Sequence, residues 1–428
     1  MTNIKKNYTD YSELVKVLDK YPTPTDLVYK HKYTHNELDD INQGKYSDNR
    51  YTKIKLYNAD GTNLIFLNSD YIKNKLIDSE SLIDDANIDS LLDIDDEELI
   101  NGFIFSEIES SLAIEGVRST RAKIEKISKT DYDKLKNDNE IIVKNMLEAY
   151  SYMKTTTISK ESILTLYNII SNNCLDKSEI LLKGNYYRHD VVDIIGSNER
   201  VIDTGVDHTK LDSLMNQLIS YIHNKKSPDD HILAPHIIHF YMVYLHPYFD
   251  YNGRMARALS FWYSMQYSPL FSLLFVSEAI NNQKNKKRYY NAISLSRKTN
   301  NDITYFIEYM ADIILEYSIV YINYYNIIES LQGKGEVISR ATQTTIKNVL
   351  VMYSIKDEYF DWKKYKTNTP DNFSKVQYLK YLNALLELKI LTVKKQKKVN
   401  LYKVNSKKWN IISLKWIIEI EYKKRARI

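Results

Sequence analysis

Residues 245–257 read Leu245-His246-Pro247-Tyr248-Phe249-Asp250-Tyr251-Asn252-Gly253-Arg254-Met255-Ala256-Arg257. Apolar residues predict one helix over residues 234–244, before this stretch, and a second helix over residues 254–267, after it. Pro247 predicts the end of the first helix, because a proline ring clashes with the preceding turn. The stretch is therefore a short loop that enters a helix N-terminus, where unpaired backbone N–H groups and the helix dipole attract anions.

The polar side chains of this loop suit the phosphates of a nucleotide. Arg254 and Arg257 lie three residues apart on the first turn of the second helix, so both emerge on one side and can grip phosphate oxygens. Asn252 and Gly253 tolerate the positive φ angles that a nest of backbone N–H groups often needs. The loop is therefore predicted to bind a polyphosphate.

Two further side chains of the loop suit a transfer reaction. Asp250 offers hard oxygen atoms, so it is a candidate ligand for Mg²⁺ between phosphates. His246 is a candidate base, because an ordinary histidine has a pKa of about 6.5 and can accept a proton from an attacking hydroxyl at neutral pH. A phosphate clamp, a metal ligand and a base so close together predict nucleophilic attack on a phosphorus atom.

The composition predicts a mainly α-helical protein of a reducing compartment. Only 10 Gly and 7 Pro interrupt the 428 residues, and apolar residues recur at helical spacing over long stretches. The one cysteine, Cys174, excludes an intramolecular disulfide. Because no apolar run reaches about 18 residues, we predict no signal peptide, no membrane span and a cytoplasmic location.

Two hairpins are predicted among the helices. Residues 53–57 and 63–67 flank Asp60-Gly61, which is a strong turn signal between alternating apolar runs. The segment from Gly184 to Gly205 has a glycine at each end and β-branched runs in both halves, which is typical of a hairpin inserted among helices. Strands are therefore expected to be few and short.

Charge is distributed unevenly along the chain. Residues 331–428 hold 22 Lys and Arg against 8 Asp and Glu, a net charge of +14, whereas residues 1–330 hold 37 against 47, a net charge of −10. Such segregation indicates that the C-terminal part meets a polyanion, or that it docks on the acidic part of this chain or of a partner. The charge balance leaves these alternatives open.

The C-terminal region has the pattern of a winged helix-turn-helix. Helices are predicted over residues 344–354, 362–365 and 374–388, and short strands over residues 391–393 and 399–404. The turn between the strands is Lys394-Lys395-Gln396-Lys397-Lys398. Three helices and a basic β-wing are typical of DNA-binding modules, but winged helices also bind proteins, and both alternatives stay open.

A change of composition near residues 332–335, which include two glycines, indicates a boundary. We therefore divide the chain into an N-terminal accessory region (1–100), a catalytic domain (101–330) and a winged-helix domain (331–428).

The loop sequence HPYFDYNGRMAR resembles the signature of the Fic (filamentation induced by cAMP) family, His-Pro-Phe-x-(Asp/Glu)-Gly-Asn-Gly-Arg-x-x-Arg. The resemblance covers roughly residues 101–318 and implies a helical bundle. It also implies a protein adenylyltransferase, which transfers AMP from ATP to a hydroxyl side chain of a protein target, with Mg²⁺ and release of pyrophosphate. The roles that it implies are base for His246, magnesium ligand for Asp250, and phosphate binding for Asn252, Gly253, Arg254 and Arg257.

This chain departs from the family signature at two positions. Tyr251 stands where the family has glycine, and Tyr248 replaces the usual phenylalanine. A side chain at position 251 is expected to narrow the anion nest. Transfer of a different nucleotide or of a phosphoryl group is therefore kept as an alternative.

A second motif lies far from the loop in sequence. The run Ser110-Ser111-Leu112-Ala113-Ile114-Glu115-Gly116 resembles the family's inhibitory helix, (Ser/Thr)-x-x-x-Glu-(Gly/Asn), with Ser111, Glu115 and Gly116 in register. This helix is expected near residues 106–118. The resemblance implies that Glu115 pairs with Arg257 and takes the partner that a γ-phosphate needs, so ATP binds only in an unreactive form.

The glycine-bounded segment resembles the family's flap, a hairpin that pairs with the target chain by adding a strand. The expected target-binding residues are Val191, Val192, Asp193, Ile194 and Ile195. The run Arg288-Tyr289-Tyr290-Asn291 resembles the stretch that supplies an aromatic side chain to the adenine pocket, and Tyr289 is the candidate. Further partner predictions are self-modification, a homodimer and DNA at the winged helix. A nucleotide-sensing, DNA-binding regulator is the alternative function from another class.

Overall fold

A computed structural model describes residues 6, 8–18, 20–85, 97–195, 201–224, 226–267, 271–355, 358–368 and 374–412. Helices form most of these residues, and the strands within them pair as short antiparallel hairpins. The prediction of a mainly α-helical fold is therefore confirmed.

The N-terminal region is a group of short helices around one hairpin. Capping boxes start its second and third helices, where the hydroxyls of Thr23 and Thr34 accept backbone N–H bonds from the first turn. Gly61 takes a φ of 87° in the hairpin turn, as the Asp-Gly signal predicts. The elements are α1 Tyr8–Val17, α2 Pro24–Tyr29, α3 His35–Gly44, β1 Tyr51–Tyr57, β2 Asn63–Leu67 and α4 Asp70–Asp85.

The central region is a helical bundle. Its elements are α5 Glu97–Ile114, α6 Arg121–Ser128, a 3₁₀ turn Tyr132–Lys134, α7 Asp138–Thr155, α8 Lys160–Ile170, β3 Asp193–Ile195, β4 Val201–Thr204, α9 His208–His223, α10 Pro228–Leu245, α11 Asn252–Tyr267, a 3₁₀ segment Phe271–Phe275, α12 Val276–Asn281, α13 Gln283–Lys298 and α14 Thr304–Gln332. Helix α11 is buried on nearly every face and packs against α10. The loop of residues 246–251 therefore joins two helices of the core.

A buried ion pair ties the N-terminal region to this bundle. Nζ of Lys45 lies 2.9 Å from Oδ2 of Asp302, just before α14, and both side chains are buried. The hydroxyl of Tyr21 also donates to Asp302, at 2.6 Å. Paired and hydrogen-bonded charges can remain inside a protein, and removing one partner alone is costly.

The expected helix end and the two predicted domain boundaries differ from the observed helices. The helix expected near residues 106–118 is the second half of α5 and ends at Ile114, because Gly116 takes a left-handed φ of 84°. Glu115 therefore lies in the turn after the helix. The predicted domain boundaries, after residues 100 and 330, both fall inside helices, α5 and α14.

The C-terminal region has the predicted order of helices and strands. Ser374 caps its third helix through a capping box with Gln377. The elements are α15 Arg340–Ile355, α16 Trp362–Asn368, α17 Lys375–Glu387, β5 Leu391–Gln396, β6 Val399–Val404 and a short α18 Ser406–Trp409. The winged-helix assignment itself stays a prediction. Among the helices of the described ranges, none is long and apolar enough to cross a bilayer.

Candidate active site

The loop between α10 and α11 takes a shape that depends on two left-handed residues. His246 ends α10 with a φ of 51°, and Tyr251 precedes α11 with a φ of 68°. The side chain of Asn252 braces the loop, because Nδ2 donates to the carbonyl of Tyr248 at 2.8 Å and Oδ1 accepts from its N–H at 3.0 Å. Asn252 is buried, so its side-chain amide fixes the shape of the loop. The phosphate contact expected of Asn252 stays a prediction.

Tyr248 forms the floor of the loop. Its ring is buried and stacks on Tyr167 of α8, with ring centroids 3.7 Å apart and ring planes within 4°. A phenylalanine ring would pack similarly, so this departure from the family signature keeps the aromatic support of the loop.

Glu115 lies at the N-terminus of α11. Its Oε1 accepts from Nη2 of Arg257 at 2.8 Å, and a Cβ added at Gly253 would lie 2.6 Å from the same oxygen. Gly253 is therefore the residue type that lets a carboxylate approach the first turn of the helix. The family resemblance implies that Glu115 pairs with Arg257, and the structure brings these two side chains together although they lie 142 positions apart in the sequence.

Arg257 is held on two sides. Its Nε donates to Oγ of Ser111 at 2.8 Å, and its Nη2 also donates to the Ser111 carbonyl at 3.1 Å. Burial alone would raise the pKa of Glu115, but Arg257, Arg254 and Lys286 together hold that pKa below its ordinary value. Glu115 is therefore a carboxylate at neutral pH and carries the charge that an inhibitory contact needs.

Arg254 is a buried cation with unused donors. Its side chain is 8% exposed, and Nε and Nη1 have no hydrogen-bond partner among the described residues. Nη2 lies 3.7 Å from Oδ2 of Asp250, which is beyond hydrogen-bond distance. Buried donors usually have partners, so these two nitrogen atoms are candidate donors to an anionic ligand.

The sequence predicts that the side chain of Tyr251 narrows the anion nest, but in the structure this side chain packs inside the protein. Its ring is buried, and the Cζ atom of Arg254 lies 3.5 Å from the ring centroid. Its hydroxyl reaches the carbonyl of Cys174 at 3.4 Å. The backbone keeps a glycine-like conformation, while the side chain packs inside the protein.

The imidazole of His246 is kept neutral. Burial, together with the nearby guanidinium groups of Arg297 and Arg188, lowers the pKa of His246 to about 4. Its Nδ1 is buried without a hydrogen-bond partner in the described part of the chain. A neutral imidazole can accept a proton at pH 7, as a general base must.

Asp250 fits a magnesium ion that a nucleotide brings with it. Its side chain is 52% exposed at the mouth of the loop, and Oδ1 accepts from the N–H of Tyr251 at 2.5 Å. The described residues contain no group of three or more His, Cys, Asp and Glu that could hold a metal. Mg²⁺ is commonly held by one or two carboxylates together with substrate phosphates and water, and Asp250 suits that arrangement.

The flap reaches this loop through Arg188, whose role the sequence analysis missed. Its Nε donates to the His246 carbonyl at 2.8 Å, and its backbone N–H donates to the Pro247 carbonyl at 2.9 Å. Nη1 donates to the carbonyl of Asp190 at 2.5 Å, and Nη2 donates to that of Val206. One buried side chain thus joins both stems of the flap to the histidine. No sequence signal could have found it, since its acceptors are all backbone atoms.

The first strand of the flap covers only part of the predicted target-binding run. Asp193–Ile195 pairs with Val201–Thr204, so Val191 and Val192 precede the strand. The carbonyl of Val192 still accepts from Gly205 N at 2.9 Å. Arg297 of α13 supports the second strand by donating to the side chain of Asp203 and, at 2.9 Å, to the Thr204 carbonyl.

Tyr289, the predicted adenine-pocket residue, lies in the core. It is 2% exposed, and its hydroxyl forms a 2.8 Å hydrogen bond with Nε2 of His239. Tyr289 does not suit the adenine pocket, because a ring that is buried to this extent has no free face on which adenine could stack. The neighbouring Tyr290 is 43% exposed. Partial burial, with the nearby charge of Glu115, raises the pKa of Tyr290 to about 12, while Arg257 acts in the opposite direction. Tyr290 is therefore the better candidate for an aromatic contact to a nucleotide.

Comparison with known proteins identifies the family that this region resembles. A model of the Fic/DOC family matches residues 157–264. The fold is similar to that of a Fic family protein from Desulfovibrio desulfuricans, with 17% identity, a TM-score of 0.50, and coverage of 79% of this chain and 96% of that one. At this identity the likeness concerns the fold alone.

Two further solved structures are similar over smaller parts of the chain. Fic-1 from C. elegans has 18% identity and a TM-score of 0.42, with coverage of 59% of this chain and 72% of that one. A Fic domain containing signaling protein from Bacteroides thetaiotaomicron has 14% identity and a TM-score of 0.40, with coverage of 63% and 99%.

Proposed function

The chain carries a Fic/DOC family domain at residues 157–264, and from this premise we propose that it is a protein adenylyltransferase inhibited by Glu115. Domains of this family typically transfer nucleotide or phosphoryl groups to proteins. The proposed reaction joins AMP from ATP to a hydroxyl side chain of a protein target and releases pyrophosphate.

One observation carries the proposal. In the first turn of α11, Nε and Nη1 of Arg254 are buried donors without a hydrogen-bond partner among the described residues, and the neutral His246 lies in the loop that precedes this helix. Donors without partners in the first turn of a helix suit a polyphosphate, and a neutral imidazole in the preceding loop suits the activation of a hydroxyl.

His246 acts on the attacking group. The imidazole accepts the proton of the target hydroxyl, whose oxygen forms a bond to the α-phosphorus of ATP. The bond between that phosphorus and the oxygen leading to the β-phosphate breaks, and pyrophosphate leaves with its electron pair. Arg188 fixes the carbonyl of His246, so the imidazole starts from a defined backbone position.

The loop and the flap position the two substrates. The first-turn amides of α11 and the free donors of Arg254 hold the phosphates, where fixed donors stabilise developing charge. Asp250 would hold Mg²⁺, which supplies charge neutralisation on the phosphates when bound. The flap would add the target chain as a strand and bring its hydroxyl to the α-phosphate.

Glu115 opposes this arrangement. Its carboxylate takes Arg257 and lies against Gly253, where an oxygen of the triphosphate would otherwise bind. Two anions cannot share one cation and one helix N-terminus without repulsion, so the resting enzyme is slow.

Labelling with ATP tests the proposal. The Glu115→Gly protein, incubated with Mg²⁺ and either α- or γ-labelled ATP, is expected to take up the α label alone and to gain the mass of one AMP at a hydroxyl residue. The matched control is Glu115→Gly with His246→Ala, which should not be labelled. Uptake of the γ label would favour phosphoryl transfer, and uptake of neither label would contradict the enzymatic proposal.

A second candidate function rests on the exposed lysines of the β5–β6 hairpin. Lys394, Lys395, Lys397 and Lys398 are all exposed in the described structure. Such a surface suits the phosphate backbone of DNA. We therefore keep a nucleotide-sensing, DNA-binding regulator as the alternative, and DNA binding without any AMP transfer would favour it.

A further inference from the structure

Tyr251 occupies a backbone position that does not suit tyrosine. Its φ of 68° lies in the left-handed region, where a bulky side chain is a genuine outlier and glycine is at ease. Such residues persist only where their surroundings hold them, and they cluster at functional sites. The side chain is therefore expected to contribute something that glycine would not.

The contribution is a contact with Arg254. The Cζ atom of the guanidinium lies 3.5 Å from the centroid of the tyrosine ring, and both side chains are buried. The hydroxyl of the ring lies 3.4 Å from the carbonyl of Cys174, which is a long hydrogen bond. An attraction between a cation and the face of an aromatic ring is strongest where water is excluded, as it is here.

This stacking does not use the N–H bonds of the guanidinium. Aromatic contact occupies a face of the planar group, whereas the N–H bonds of arginine lie in its plane and grip phosphate as a fork. Nε and Nη1 are the two nitrogen atoms of Arg254 without partners among the described residues. The ring can thus hold the cation without using the donors that a phosphate needs.

We propose that Tyr251 is a positioning residue, which holds the guanidinium of Arg254 with its free edge available to the phosphates of the nucleotide. The inference rests on the proposed function, because it assigns those donors to a triphosphate. It also explains how this chain replaces the glycine of the family signature without closing the loop: the ring supports the clamp from inside the protein.

The test compares three substitutions in the Glu115→Gly protein, where the carboxylate no longer competes. Tyr251→Phe keeps the ring, Tyr251→Leu keeps apolar bulk without the ring, and Arg254→Met removes the cation. The dissociation constant of ATP is measured by calorimetry, and KM and kcat by AMP labelling. Melting temperatures show which variants are folded.

A ring that positions Arg254 predicts a specific pattern. Tyr251→Phe should bind ATP within about twofold of its parent, and Tyr251→Leu should bind about 5- to 30-fold more weakly, the range for a desolvated cation–π contact. KM should rise with the dissociation constant while kcat changes less, because the phosphate contacts are made before reaction. In the Arg254→Met protein, Tyr251→Leu should add less than twofold.

Two results would overturn the inference. One is a folded Tyr251→Leu protein that binds ATP as tightly as Tyr251→Phe. The other is an equal loss from Tyr251→Leu whether or not Arg254 is present, which would indicate a general effect on the loop. If ATP binding follows the expected pattern but no AMP is transferred, the proposed function fails and the positioning role stands.

Discussion

Residues 246–257, which form the loop and the first turns of α11, and the hairpin at residues 391–404 both carry positive charge, but the charge is buried in the first region and exposed in the second. Arg254 and Arg257 are buried beside a helix N-terminus, and Arg257 pairs with Glu115 at 2.8 Å. The lysines of the hairpin turn are exposed to water. A buried charge depends on a few fixed partners, whereas exposed charges act through their sum and are screened by salt.

This difference sets the kind of evidence that each region can yield. In the loop, single substitutions should have large effects that depend on which atom is removed. In the hairpin, single substitutions should have small effects that depend on the salt concentration. The predictions below test this contrast, from the largest expected effect to the smallest.

The largest effect is expected at Arg188. Arg188→Met leaves the carbonyls of His246, Asp190 and Val206 without their donor, so the histidine and the flap lose their common anchor. A displacement of about 1 Å near the reacting atoms can cost about 100-fold in rate. We expect kcat/KM for AMP labelling to fall about 100-fold in the Glu115→Gly protein.

Arg188→Lys is the matched variant, since it keeps the charge but cannot reach three acceptors in one plane. The kcat/KM of the Arg188→Lys protein should lie between that of the Glu115→Gly parent and that of the Arg188→Met protein. Full activity in a folded Arg188→Met protein, judged by its melting temperature, would show that the flap and the loop are not coupled through this residue.

The second effect concerns the pair of Glu115 and Arg257. A charge-assisted hydrogen bond contributes about 1.5–3 kcal/mol, so Glu115→Gly should raise AMP labelling about 10- to 100-fold. Glu115→Gln keeps the shape but not the charge and should give a smaller increase. Ser111→Ala, which removes only the neutral acceptor of Nε, serves as control and should change labelling about twofold. Unchanged labelling by all three proteins would contradict the inhibitory role.

A third, smaller effect is expected in the hairpin. Lys397→Ala should weaken binding of a DNA duplex several-fold at low salt and reduce the slope of log affinity against log salt by about 0.9, the value for one phosphate contact. AMP labelling should not change. Lys53→Ala, an exposed lysine of β1, is the control and should leave the slope unchanged. Equal slopes for both variants would exclude this hairpin as a DNA contact.

The smallest effect concerns pH. Because the pKa of His246 is lowered to about 4, the imidazole is already neutral at pH 6, and its capacity as a base is lost only as the pH falls toward that value. We expect kcat/KM for labelling to vary less than about twofold between pH 6 and 8. An acid limb centred near pH 6.5 would show an imidazole that is as solvated as a free histidine.

The amino-acid sequence by itself determined the helical class, the two hairpins, the order of the C-terminal elements and the loop where chemistry is expected. These features are local, because helical periodicity, Asp60-Gly61 and Pro247 act on their own neighbours. Gly116 and Gly253 were recognised because each belongs to a short sequence motif. His246 and Arg257 were recognised together for the same reason, since they lie close in the sequence.

Tertiary structure alone decided which atoms of the loop are free. It showed Asn252 bracing the backbone, Tyr251 stacked on Arg254, and Arg188 bound to backbone carbonyls. It also buried Tyr289 and exposed Tyr290. Burial and backbone hydrogen bonds depend on how distant helices pack, and neighbouring tyrosines look alike in a sequence until a core forms around one of them.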